Sequence, residues 1–147
     1  MKILLINPPI ENIIESDMPK ELESGMDFLP PLGLMYIAAY VKEKTNYNIE
    51  ILDCGVEKID YNNLENKIKN INPDIVGITA MTFTLIDVIK TAKLVKEVNP
   101  NIKIVLGGPH VNIYPEETMA NSEVDFLVLG EGEQPFIDLL NNRQTAQ

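Results

Sequence analysis

Four short stretches of this chain are built to meet a ligand. They are Asn7-Pro8-Pro9, Thr79-Ala80-Met81-Thr82, Gly107-Gly108-Pro109-His110 and Gly130-Glu131-Gly132-Glu133. Their residues are small, neutral or hydroxyl-bearing, and only the two glutamates add charge. Such residues let a large, fairly flat ligand come close to the backbone. They suit catalysis poorly, because no Ser/His/Asp set, carboxylate pair or lysine falls among them. No catalytic residue is therefore expected in this chain.

Each stretch has a plainer reading beside the functional one. Gly107-Gly108 suits close backbone approach to a ligand, or an ordinary turn after a strand. Thr79 and Thr82 can offer hydroxyls to a polar ligand edge, and Thr82 also suits the cap of the helix that follows. His110, the single histidine, fits a metal ligand, a base or a polar loop. It has no Cys or carboxylate partner nearby, which argues against a metal site. Glu131 and Glu133 suit the positive end of a helix, or hydrogen bonding to ligand amides and hydroxyls.

Composition narrows the partners. The chain has 147 residues, with 12 Lys plus Arg against 22 Asp plus Glu, a formal charge of −10. Nucleic acids and anionic membranes both call for clustered Lys and Arg, so neither is expected. Cys54 is the one cysteine. It permits no internal disulfide, CxxxCxxC cluster or Cys/His zinc set, and it suits a reducing cytosol. The apolar start Ile3-Leu4-Leu5-Ile6 is too short for a signal peptide or a membrane span. A cytoplasmic address is expected.

The elements that must hold these stretches are legible as a repeating pattern. Short runs rich in Ile, Val and Leu occupy residues 2–7, 48–53, 74–79, 102–106 and 125–129, each bounded by turn residues. They lack clean alternation, as expected of parallel strands buried on both faces. Helical spacing lies between them: Leu34, Ile37, Ala38 and Val41; Leu64, Ile68 and Ile71; Leu85, Val88, Ile89, Ala92 and Val95. A short helix is expected over 115–121 and a last one from about Glu133. Asn72-Pro73 and Asn99-Pro100 stop the second and third helices.

This alternation predicts an α/β fold: a doubly wound, five-stranded parallel sheet, flavodoxin-like or Rossmann-like, with strand order 2-1-3-4-5. Residues 1–140 read as one domain and 141–147 as a polar tail leading to a linker. The connection over residues 8–31 is far longer than the usual βα loop of about 2–6 residues. It carries Glu11, Glu15, Asp17, Glu21, Glu23 and Asp27.

In such a sheet ligands bind beyond the carboxyl ends of the strands, where all four stretches fall. Three familiar alternatives are disfavoured there. Asn7-Pro8-Pro9 and Thr79 stand where a receiver domain has its acidic pair and phospho-acceptor aspartate. Pro8-Pro9 removes two backbone donors where a flavodoxin phosphate loop needs them. No GxGxxG follows the first strand.

The chain resembles the N-terminal cobalamin-binding domain of cobalamin-dependent radical S-adenosylmethionine enzymes. The resemblance rests on Ile6-Asn7-Pro8-Pro9, Pro30-Pro31-Leu32-Gly33-Leu34 with Tyr36-Ile37-Ala38-Ala39, and Asp74-Ile75-Val76-Gly77-Ile78 before Thr79. Gly107-Gly108-Pro109-His110 and Gly130-Glu131-Gly132-Glu133 complete it. It implies a Rossmann-like module holding cobalamin between its strand ends and a catalytic barrel. By that resemblance, residues 79–82 with Met81 lie beside the nucleotide tail and Gly107 and Gly108 make room for it. Likewise 130–133 close the site, 30–34 with Leu32 and Gly33 lie near the corrin ring, and His110 lines the site. The DxHxxG motif that supplies a histidine to cobalt in the wider fold is absent, since Asn7-Pro8-Pro9-Ile10 stands there.

The resemblance places S-adenosylmethionine and a [4Fe-4S] cluster in a downstream radical S-adenosylmethionine domain, because the CxxxCxxC that binds the cluster is missing here. The full-length protein is then a methyltransferase or related enzyme, with this chain as its cofactor module. The competing expectation is a ligand-free flavodoxin-like interaction domain that docks a protein through its acidic loop.

Overall fold

The computed structural model describes residues 1–14 and 29–144. Its strands are β1 (Lys2–Asn7), β2 (Asn48–Asp53), β3 (Ile75–Thr79), β4 (Lys103–Gly107) and β5 (Phe126–Val128). Its helices are α1 (Leu32–Lys44), α2 (Tyr61–Ile71), α3 (Leu85–Val98), α4 (Pro109–Ile113), α5 (Pro115–Met119) and α6 (Glu133–Gln144). The sheet order is β2-β1-β3-β4-β5, and every neighbouring pair is parallel. That is the topology expected from the sequence.

The apolar runs bury both faces. Leu4, Ile6, Val76, Ile78, Ile104 and Leu106 pack against Leu64 and Ile68 of α2 and Val88, Ala92 and Val95 of α3. Ile3, Leu5, Ile75, Val105 and Val128 point the other way, against Leu34, Ala38 and Val41 of α1 and Phe136, Ile137 and Leu140 of α6. With both faces covered by helices, alternation in the sequence has nothing polar to alternate with.

Helix ends follow local chemistry. The Asp60 carboxylate accepts the Asn63 amide at 2.8 Å and caps α2. Asn72 ends that helix in the left-handed region at φ 47°, just before Pro73.

Several boundaries differ from expectation. β3 starts one residue later than expected, and β4 starts and ends one residue later. The shift of β4 reflects pairing of Thr79 with Gly107 and of Gly107 with Val128. β5 keeps only three of its five expected residues. Residues 109–113 form a short helix opened by Pro109, where the sequence pattern predicts no helix. α5 stops at Met119 rather than 121. α6 runs to Gln144, so the first four residues of the expected tail are helical. Among the described residues no helix is long and apolar enough to cross a membrane.

Asp125 explains why β5 begins late. Its carboxylate accepts Lys96 at 2.6 Å, Lys103 at 2.7 Å and the Ile104 amide at 2.9 Å. Partial burial alone would raise its pKa. The two ammonium groups and the amide outweigh that and hold it below the ordinary carboxylate value. The unfolded chain therefore binds this proton more readily. The stabilisation is complete above about pH 4, the unfolded value, and is lost as pH falls through the lower folded value. Asp125→Asn is expected to cost roughly 1–2 kcal/mol at pH 7. Urea unfolding from pH 7 to pH 3 should show that deficit shrinking below about pH 4. A deficit independent of pH would contradict this ion-pair role.

Candidate functional site

A cavity of about 200 Å³ opens at the carboxyl ends of the strands, on the face covered by α1 and α6. Its cause is missing side chains. Register places Gly77 between Leu5 and Val105, and Gly107 between Thr79 and Val128. Both glycines lie on the face that carries Leu5, Val105 and Val128, so two adjacent strands lack side chains where the cavity opens. A Cβ on Gly77 would stand 2.7 Å from Leu5 Cδ2 and 3.9 Å from Phe136 Cε2. A Cβ on Gly107 would meet nothing nearer than Val128 O at 3.7 Å, so a side chain there would enter the open space.

Other glycines shape the rim. Gly108 has φ +110°, and a Cβ there would come within 2.8 Å of Ala80 O. The turn from β4 into α4 thus rests against the end of β3, and only glycine allows it. Gly132 lets the β5–α6 loop close on α1, since its Cβ would stand 2.7 Å from Ile37 Cδ1. Gly130 donates its amide to Asn112 Oδ1 at 2.7 Å.

The cavity is graded from apolar to polar. Its floor is Leu5, Gly77, Val105, Val128 and Phe136, all buried. Its mouth carries Tyr36, Thr79, Glu131 and Glu133, partly or fully exposed. A second groove adjoins the mouth between α1 and the start of α6, and it shares Tyr36, Glu131 and Glu133. There Tyr40 donates its hydroxyl to Gln134 Oε1 at 2.8 Å.

Of the residues singled out by sequence, Gly33, Thr79, Gly107, Gly108, Gly130, Glu131 and Gly132 line this cavity. Asn7, Pro8, Pro9, Leu32, Met81, Thr82, Pro109 and His110 do not line it. Asn7 donates its side-chain amide to Asp53 Oδ1 at 3.0 Å and ties the ends of β1 and β2. Pro8 and Pro9 are buried, while Leu32 and Met81 stand exposed. Thr82 does not cap α3. It opens a single 3₁₀ turn, Thr82–Thr84, and its Oγ1 lies 3.1 Å from His110 Nδ1. His110 is buried, its Nε2 has no hydrogen-bond partner among the described residues, and its ring centroid lies 5.3 Å from that of Tyr114.

Sequence reasoning missed two groups. Leu5, Ile37, Gly77 and Phe136 line the cavity, and the signal was Gly77, a glycine inside a central strand. The other is Asp87, which is fully buried in α3. Its carboxylate accepts the Glu11 amide at 3.1 Å, the Asn12 amide at 2.7 Å, the Asn12 side-chain amide at 2.7 Å and the Tyr61 hydroxyl at 2.5 Å. Burial, and then this bond to a carboxylate, push the Tyr61 pKa up and keep its proton in place. Lys90 donates to Asn12 Oδ1 at 2.9 Å, and the Ile14 amide to Phe83 O at 2.9 Å. The chain leaving β1 is thereby latched to the α3 side, opposite the cavity. Residues 15–28, and with them most of the acidic docking loop, lie outside the described residues.

Reactive side chains are scarce. Cys54 is buried, and desolvation, reinforced by Asp53 and Glu57, pushes its thiol up to about 12. Among the described residues no three His, Cys, Asp or Glu side chains are grouped to hold a metal ion.

Comparison with known proteins gives this geometry a context. The model of the B12 binding domain family matches residues 24–140. The chain is 40% identical over 142 residues to an uncharacterized methyltransferase of Pyrococcus horikoshii, covering 96% of this chain and 29% of that protein. It is 35% identical over 112 residues to the anaerobic magnesium-protoporphyrin IX monomethyl ester cyclase of Rubrivivax gelatinosus, covering 76% of this chain and 20% of that one. Among solved structures, the cobalamin-dependent S-adenosylmethionine radical enzyme OxsB, with aqua-cobalamin and S-adenosylmethionine bound, shares the fold. The TM-score is 0.78 at 15% identity, over 99% of this chain and 19% of that chain. The chain thus spans 29% and 20% of the length of these two curated relatives.

Two variants test the local geometry. Gly108→Ala should cost about 1–3 kcal/mol, because it forces a Cβ into a left-handed turn against backbone. Asp87→Asn should cost about 2–3 kcal/mol and expose residues 8–14 to limited proteolysis, since an amide cannot accept all four donors. Unchanged protease resistance in Asp87→Asn would contradict the latch.

Proposed function

The chain belongs to the B12-binding domain family, and on that footing we propose that its glycine-floored cavity receives the nucleotide tail of cobalamin. The observation that carries this is the fit of size and polarity. An apolar cavity of about 150 Å³ admits a benzene ring. The cavity here, about 200 Å³, suits a slightly larger aromatic group and is far too small for a corrin macrocycle. The corrin is left to the exposed apolar rim, where Leu32, Tyr36, Met81 and Leu129 are 59%, 64%, 36% and 52% exposed.

Within this reading the residues divide by task. Gly77 and Gly107 open the floor, and Gly108 and Gly132 bring the rim loops close to it. Thr79, Glu131 and the loop backbone at Gly130 stand at the mouth, where amide and hydroxyl groups of the tail need partners. Gly33 and Leu32 at the start of α1, with exposed Met81 after β3, are assigned to the corrin side. Asn7, Pro8 and Pro9 follow at the carboxyl end of β1, and Thr82, Pro109 and His110 after β3 and β4, and none of the six lines the cavity.

Cobalt supplies the redox and methyl-carrying chemistry, and the protein supplies binding and orientation. No histidine of this chain is assigned to cobalt. His110, the single one, packs between Thr82 and Tyr114. The full-length protein is proposed to be a cobalamin-dependent radical S-adenosylmethionine enzyme, a methyltransferase or close relative. Its other domain would hold S-adenosylmethionine and a [4Fe-4S] cluster and would cover the corrin face. A reducing cytoplasm suits that chemistry.

Hydroxocobalamin should co-elute with the protein, expressed at its full coding length, at tens of micromolar, giving retained corrinoid absorbance. Gly107→Val should weaken that binding at least tenfold while leaving the melting temperature within a few degrees, because its side chain enters the cavity without striking backbone. Loss of all corrinoid from a folded wild-type protein would overturn the proposal.

A further inference from the structure

The floor of the cavity can distinguish among corrinoids, which differ in the base that ends their nucleotide tail. Every polar side chain lining the cavity, namely Tyr36, Thr79, Glu131 and Glu133, stands at the mouth. Leu5, Val105, Val128 and Phe136 below them are 1%, 3%, 6% and 2% exposed. Gly77 offers no free backbone group either, because β3 is paired with β1 on one side and β4 on the other. The side chains at this depth offer a buried group carbon alone.

We infer that the cavity selects corrinoids by their lower base, taking a benzimidazole-type ring and rejecting a purine. This rests on the tail-binding reading of the cavity. The outer edge of dimethylbenzimidazole is a carbocycle with two methyl groups, which Leu5, Val105, Val128 and Phe136 can cover. The outer edge of adenine carries ring nitrogens and an exocyclic amine. Those groups are hydrogen-bonded in water and would find no side-chain donor or acceptor on this floor, so burying them is unfavourable. Methyl groups against aliphatic side chains and an aromatic ring are instead favourable by area and dispersion. The same apolar floor that strengthens one base therefore penalises the other, which is how a site that lacks hydrogen-bonding groups discriminates.

The test is a set of equilibrium titrations, followed by visible absorbance, on the protein at its full coding length. The probes are cobalamin, its adenine-based analogue and cobinamide, which lacks the nucleotide. Cobalamin should bind at least tenfold more tightly than the adenine analogue, a difference of about 1.4 kcal/mol, and more tightly than cobinamide. Val105→Thr places a hydroxyl on the floor. It should narrow the ratio of cobalamin to adenine analogue several-fold while leaving cobinamide affinity unchanged. If that variant does not fold, the wild-type ratio decides alone. Equal affinity for the two complete corrinoids, or cobinamide binding as tightly as cobalamin, would overturn base selection while leaving corrinoid binding intact. Failure of all three probes to bind would instead overturn the tail-binding reading itself.

Discussion

A parallel sheet buried on both faces must be filled on both faces, and here one face stays open beside Gly107. Gly77 and Gly107 withhold side chains where β3 and β4 approach α1 and α6. Leu5 leans over Gly77, its Cδ2 2.7 Å from where a Cβ would stand, whereas the space beside Gly107 has no side chain to fill it. At about 24 cal/mol per Å³ of cavity, 200 Å³ represents at most roughly 5 kcal/mol of packing left unrealised. A snugly buried ring would restore much of it. Interiors normally hold few voids larger than a water molecule, which is why the proposed tail site is put at this opening on the carboxyl edge of the sheet.

The rest of the carboxyl edge is organised to keep that opening clear. The latch on Asp87 draws the chain after β1 toward α3, away from the mouth. The left-handed turn at Gly108 folds the chain after β4 against Ala80. Gly132 lets the last loop lie on Ile37, so the mouth is bordered by backbone and small residues instead of long side chains. The remaining titratable groups serve architecture. Asp125 joins α3, β4 and β5 through Lys96, Lys103 and Ile104, and Cys54 is buried and unreactive.

Much of this is legible in the sequence, for physical reasons. Period-free apolar runs separated by helical spacing leave little choice but a doubly wound parallel sheet, and its order follows from right-handed crossovers. The four turn stretches must then fall at the carboxyl edge, whatever their individual roles. Which face they open onto was not legible. The sequence does not say that Gly77 points at α6 and Ile78 at α3, because that depends on register. The role of Asp87 is not legible in the sequence, since its partners at Glu11, Asn12 and Tyr61 are distant along the chain. Thr82 looked like a cap, but the intervening 3₁₀ turn moved the start of α3 to Leu85. His110 read as part of a polar loop, yet the short helix begun by Pro109 buries its ring.

Methyl chemical shifts test the central claim most directly, since the two faces of the sheet carry separate sets of labels. Addition of cobalamin to methyl-labelled protein should shift the resonances of Leu5, Val105 and Val128 through the ring current of the base, and cobinamide should not. Methyls of Leu64, Val88 and Val95, on the α2 and α3 face, should stay in place with both. Shifts confined to the α2 and α3 face, or identical shifts with both corrinoids, would contradict a tail held in the glycine-floored cavity.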